Sequence, residues 1–190
     1  MKGYIPSRSR DLRKGRISIP GARYFVTCCT HHREPGLTEN EIGSRIVRTL
    51  RRQQRDQNMD LKCATIMPDH VHFIFVLGHN LTLSKTLAKF KSLTEPLSMD
   101  GSLQWQSNFH DHRLRDRVPM EQFAYYIFMN PYRKGLLSVT EAWRWWILNR
   151  HYSPEFTQLL ADGKYPQKEW LLDSQSAAGL VDLDSHRPKK

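Results

Sequence analysis

No stretch of about 18 consecutive apolar residues occurs anywhere in this 190-residue chain, so no membrane-spanning helix is expected. The opening MKGYIPSRSRDLRKGR is basic but leads into no apolar signal core, and a cytoplasmic protein is the expectation. Cysteine is scarce: Cys28, Cys29 and Cys63 are odd in number and two are adjacent, so neither a disulfide framework nor a CxxC zinc pattern is present. A structural zinc site drawn from Cys28, Cys29 and nearby histidines fits no common spacing; reduced, buried thiols are the plainer reading. Acidic residues are also few, 19 against 29 Lys and Arg, which leaves a formal net charge of +10. Such a surplus favours an acidic polymer, nucleic acid above all, as partner.

The basic residues fall into groups. The first 16 residues hold Lys2, Arg8, Arg10, Arg13, Lys14 and Arg16 against a single Asp11, a basic arm able to follow phosphates. Arg45, Arg48, Arg51, Arg52 and Arg55 recur at helical spacing. For either group taken singly, a solvated charged face is the competing explanation.

At this length one domain is expected. ARYFVTCCT (22–30) follows the turn pair Pro20-Gly21 and reads as a first strand. A helix is predicted over 39–58, with Thr38 as N-cap and Ile42, Ile46, Val47 and Leu50 turned inward. LKCATIM (61–67) and HVHFIFVL (70–77) read as buried strands joined by a tight turn at Pro68-Asp69. A second helix is predicted over 82–95, ended by Pro96. A hairpin of 103–109 with 110–116 comes next, then a third helix from Pro119 to about residue 130, stopping near Pro131 and Gly135. The order β-α-β-β-α-β-β-α predicts an α+β protein of ferredoxin-like type, an antiparallel sheet with packed helices. Residues 141–172 are aromatic and are expected to wrap the domain formed by 17–140, while 173–190 read as a disordered tail.

Alternate side chains of a strand share a face, so His70 and His72 point the same way. A buried pair of imidazoles must find hydrogen-bond acceptors or share a cation, and strand alternation leaves both open. His110 and His112 have the same spacing but charged flanks, which favours a phosphate-contacting or solvated edge. In the third helix Met120, Phe123, Ala124, Ile127 and Pro131 form the stripe expected to be buried. Tyr126 and Asn130 share one flank of that stripe, a nucleophile and an oxygen ligand or simply packing; Tyr125, Phe128 and Tyr132 take the other.

These residues carry a resemblance. PDHVHFIF resembles the His-hydrophobic-His motif of the HUH endonucleases, and YIFMNPYRKGLL the tyrosine-bearing helix of single-tyrosine transposases. With GRISIPGARYFVTCCTHHR and WQSNFHDHRLRD in order, the chain is most similar to REP-associated tyrosine transposases of the IS200-like superfamily, and AWRWWILNRHYSPEFTQLLADGKYPQKEW is similar to their C-terminal segment. The resemblance implies an HUH-fold nuclease and strand transferase acting on single-stranded DNA that carries REP hairpins, cytoplasmic and nucleoid-associated. It implies Tyr126 as nucleophile and His70, His72 and Asn130 as ligands of Mg2+ or Mn2+. DNA contacts are assigned to Arg8, Arg10, Arg13, Lys14 and Arg16 of the arm, Arg48 and Arg52 of the first helix, then His112, Arg113, Arg115, Arg133 and Lys134. A monomer is expected, with a dimer as the alternative, since related transposases exchange the tyrosine helix between subunits.

Overall fold

The computed structural model describes residues 17–171. The basic arm, with Arg8, Arg10, Arg13, Lys14 and Arg16, and the tail at 173–190 lie outside the described residues. Five strands, β1 (Arg23–Cys29), β2 (Met59–Ile66), β3 (His70–Leu77), β4 (His110–Leu114) and β5 (Trp146–Leu148), form one antiparallel sheet in the order β4-β1-β3-β2-β5. The helices are α1 (Asn40–Arg55), α2 (Leu83–Thr94) and α3 (Met120–Arg133). The first four strands with α1 and α2 make a ferredoxin-like βαββαβ unit, as expected.

Strand alternation divides the core in two. Tyr24, Val26, Cys28, Ala64, Ile66, Val71, Phe73 and Phe75 pack with α1 and α2; Phe25, Cys63 and Ile74 face the other way and pack with α3. All three cysteines are buried thiols. Helix α3 therefore covers the face that the ferredoxin-like unit leaves open, and the C-terminal segment closes over α3 in turn: Phe156 lies 5.2 Å from Phe128 and 5.5 Å from Tyr125. For this reason α3 buries far more than its predicted stripe, including Tyr126, Phe128, Asn130 and Tyr132.

Several predicted boundaries change. Helix α1 starts at Asn40 with Glu39 at the N-cap, not Thr38, because the turn from Gly36 to Glu39 is closed by backbone hydrogen bonds. It ends at Arg55, since Gln57 turns into the left-handed region at φ 54°. Residues 103–109 are not a hairpin strand. Trp105 makes an isolated bridge to Thr30, its indole donates to Thr94 Oγ1, and Lys91 Nζ takes the carbonyls of Gln106 and Asn108, so the segment is anchored as a loop. β4 instead pairs with β1, and β5 adds an edge strand that the predicted order lacked.

Proline does not end α3. Pro131 lies inside the helix and lacks the N–H that would bond the carbonyl of Ile127; Thr65 Oγ1 of β2 donates to that carbonyl at 2.8 Å instead. The bond offsets the missing backbone partner and pins α3 to the sheet. The helix then ends at Arg133, with Lys134 at the C-cap and Gly135 at φ 66°.

Gly43 in α1 makes room for Trp145: a Cβ there would stand 2.6 Å from the indole Cη2. Alanine gains about 1 kcal/mol of helix propensity, but overpacking costs about 1–3 kcal/mol. Gly43→Ala is therefore expected to lower stability by up to about 2 kcal/mol in urea titration; a gain would mean the ring moves freely.

Candidate active site

The turn Pro68-Asp69 sends β2 into β3 and begins the latter at His70. His70 and His72 lie on the α3 face, 5% and 1% exposed, and their Nε2 atoms approach to 3.0 Å. Each ring is held from behind. Asp69 Oδ1 is 2.6 Å from His70 Nδ1, and its Oδ2 is 3.3 Å from Arg33 Nη1; Thr27 Oγ1, on the residue paired with His72 across β1, is 2.8 Å from His72 Nδ1.

The proton positions follow from these partners. A carboxylate only accepts, so His70 Nδ1 donates to Asp69 and His70 Nε2 is left with a lone pair. Thr27 can turn its hydroxyl either way. If Thr27 donates, His72 Nε2–H bonds His70 and the pair is satisfied on its own; if it accepts, two lone pairs face one another and need a cation between them. Two nitrogens held side by side on one octahedral ion lie about 3 Å apart, so the spacing fits a shared ion.

Burial first, then the positive charge His70 carries when protonated and the charges of Arg33 and Lys134, hold the His72 imidazole well below the ordinary histidine value of 6.5. It is neutral at pH 7, as a ligand must be. Burial pushes the Asp69 carboxyl up, but its hydrogen bond and charge contact with His70, with Arg33 beside it, more than offset this and leave it below the ordinary 3.8.

Both shifts destabilise the fold in acid. Each group takes up its proton more readily when unfolded, so stability is complete above the unfolded value and falls as pH drops through and below it. The melting temperature is expected to be level above about pH 7.5 and to fall below about 6.5 through His72, with Asp69 adding a loss below about pH 4. His72→Gln should flatten the first fall, and an unchanged profile in that variant would refute the assignment.

Helix α3 supplies the other side of the site. Tyr126 is 6% exposed, its ring 5.9 Å from His72 and 6.4 Å from Phe25, with the Arg133 guanidinium 5.1 Å from its centroid. Asn130 lies one turn on, between Tyr126 and Lys134, whose charge reaches His72. It is 1% exposed, and its Nδ2 is buried without a hydrogen-bond partner. A buried orphan amide calls for a missing partner; turned by 180°, the same amide presents its oxygen. Among the described residues no group of three His, Cys, Asp or Glu is placed to hold an ion. Any ion at His70 and His72 therefore takes further ligands from an amide, water or substrate, as an open site does.

The predicted DNA contacts are dispersed. Arg133 and Lys134 border the site, whereas Arg48 and Arg52 lie on α1 across the sheet, with Arg52 Nε 3.9 Å from Asp56. His112 pairs with Phe25 on the α3 face and stacks on Phe123 at 5.7 Å; Arg113 pairs with Tyr24 and points to the opposite face, and Arg115 is exposed just past the strand. His110, which was not among the predicted contacts, pairs with Thr27, so His110, Thr27, His72 and Thr65 form one row across the sheet. Asp69, Thr27, Arg33 and Thr65 were missed as well. Asp69 and Thr27 had weak local signals: a carboxylate next to the first histidine and a polar residue amid apolar ones in β1.

Residues 18–127, more than half of the chain, match the family described as Transposase IS200 like. The chain is 22% identical over 130 residues to the REP-associated tyrosine transposase of Escherichia coli (strain K12), covering 67% of this chain and 77% of that protein. Its fold matches the structure of a REP-associated tyrosine transposase bound to a REP hairpin, with a TM-score of 0.62 and 19% identity over 80% of this chain and 90% of the other. No helix among the described residues is long and apolar enough to cross a membrane.

Proposed function

Since the chain belongs to the IS200-like transposase family, we propose that it is an HUH-type single-strand endonuclease and strand transferase that acts on DNA bearing REP hairpins. The observation that carries this reading is the packing of Tyr126 against His72 at the face where two histidines converge. The similarity to a transposase whose structure holds a REP hairpin supports the choice of substrate.

Each residue has a part. Tyr126 Oη attacks the scissile phosphorus; the P–O3′ bond breaks, the 3′ oxygen takes up one proton for the one the phenol gives up, and the 5′ end is held as a phosphotyrosine. Attack by a 3′-hydroxyl on that linkage reverses the step and rejoins DNA without ATP. Arg133 fixes the tyrosine ring and places positive charge where the phosphate must come. His70, His72 and the Asn130 amide would hold a divalent ion, Mg2+ or Mn2+, whose chemistry when bound is Lewis-acid polarisation of the phosphate. Asp69 and Thr27 orient the two imidazoles from behind. Tyr126 meets the histidines of its own chain, which supports action as a monomer.

The test is to incubate the protein with a labelled hairpin carrying a single-stranded flank and Mn2+, then separate the products under denaturing conditions. A labelled band that runs with the protein is the expected result. Hairpin binding without any covalent product would favour a hairpin-binding protein that has lost cleavage.

A further inference from the structure

Two grooves run side by side between α1 and the edge strand β5, on the opposite side of the sheet from the tyrosine. Together they are lined by Arg48, Arg51 and Arg55 from α1 and by Arg144 and Arg150 from the segment around β5, with no acidic residue in either lining. All five arginines are exposed. Arg48, Arg51 and Arg55 make no ion pair or hydrogen bond among the described residues. Asp56, the acid nearest to them in sequence, is engaged by Arg52 and Lys89 on the flank turned towards α2. Like charges crowded into a groove without counter-charges are costly, and a polyanion relieves that cost.

We infer that this α1–β5 groove binds the paired stem of the hairpin through its phosphates. The inference rests on the reading of the chain as a hairpin-processing enzyme. Arg48 and Arg55 lie seven residues apart with Arg51 between them, a rise of about 10 Å, which matches roughly three phosphate-to-phosphate steps along one strand of a duplex. Unpaired DNA is gripped mainly by stacking its bases on open aromatic rings. The two rings that line the groove are already engaged: Trp145 is buried against Gly43 with the Arg144 guanidinium 4.8 Å from its ring centroid, and the half-buried Trp146 packs against Phe128 at 5.3 Å. A paired stem needs no stacking, because its bases already stack on one another. The same two tryptophans join α1 to α3, so a stem on this edge lies two strands, about 10 Å, from the His72 strand.

Salt-titrated fluorescence anisotropy on three DNA probes tests the inference: a hairpin with a single-stranded flank, that flank alone, and an unpaired strand of the hairpin's length. Arg51→Gln with Arg55→Gln removes two exposed side chains and leaves no buried group unpaired. This variant is expected to bind the hairpin about tenfold or more weakly, to lower the slope of log K against log salt by about 2, and to bind the unpaired strand within about twofold of wild type. Arg150→Gln, across the groove, is expected to weaken hairpin binding in the same selective way. Hairpin binding unchanged in both variants, or an equal loss on paired and unpaired probes, overturns the groove assignment and leaves the proposed function standing. Wild-type protein that binds none of the three probes refutes the proposed function itself.

Discussion

Tyr126→Phe is expected to abolish the covalent protein–DNA product, a loss of roughly a thousandfold or more, while hairpin binding stays within about twofold of wild type. The substitution removes one oxygen and keeps the ring. The contacts with His72, Phe25 and Arg133 are made by that ring, so the fold and the electrostatics around the phosphate are preserved. Tyr125 is the control. Its ring packs 5.5 Å from Phe156 and 5.4 Å from Trp170, on the side of α3 covered by the C-terminal segment and away from the histidines. Tyr125→Phe should form product at close to the wild-type rate. Product that persists in Tyr126→Phe and disappears in Tyr125→Phe would move the nucleophile by one residue and invalidate the site.

The reason these neighbouring tyrosines differ is only partly legible in the sequence. Helical spacing puts Tyr126 and Asn130 on one flank and Tyr125 on the other, but it cannot say which flank meets the sheet. That depends on β2 and β3, whose alternation was legible, and on a contact that was not. Pro131 reads as a helix stop, because the chain alone gives no sign that Thr65, 62 residues away, will bond the carbonyl the proline leaves bare. That one hydrogen bond lets α3 run on to Arg133, and so brings Arg133 and Lys134 to the site as helical neighbours of Tyr126.

The strands show the same division. His70 and His72 could be placed on one face by counting, since β3 is regular from His70 to Leu77. Strand geometry separates such a pair by about 7 Å along the chain, whereas the Nε2 atoms lie 3.0 Å apart. The difference comes from Asp69 and Thr27, which turn both rings towards a common point. Segment 103–109 misled because its apolar residues alternate as in a strand, while the groups that decide its path, Thr94 Oγ1 and Lys91 Nζ, come from α2. β5 is three residues long and owes its place to tryptophans that pack on both helix layers, a tertiary cause with no local pattern.

Titration with Mn2+ in a calorimeter is expected to show one site per chain, lost in both His70→Ala and His72→Ala. The supporting residues should matter in proportion to what they hold. Asp69→Asn keeps a hydrogen-bond acceptor near His70 Nδ1 but removes the charge that makes the imidazole a stronger donor to the ion, and is expected to weaken binding by about tenfold to a hundredfold. Thr27→Val removes the acceptor that lets His72 present its Nε2 lone pair, and a similar loss is expected. Asn130 separates a ligand from a bystander. If its amide oxygen completes the site, Asn130→Ala weakens Mn2+ binding and Asn130→Asp strengthens it, because a carboxylate is the better ligand for a hard cation. If the orphan Nδ2 instead serves only a phosphate oxygen, neither variant moves the metal affinity, and Asn130→Asp lowers DNA affinity by placing a negative charge against the backbone. Full Mn2+ affinity in His70→Ala would place the ion elsewhere, and the 3.0 Å approach of the two imidazoles would then be the neutral hydrogen-bonded pair that Thr27 can also support.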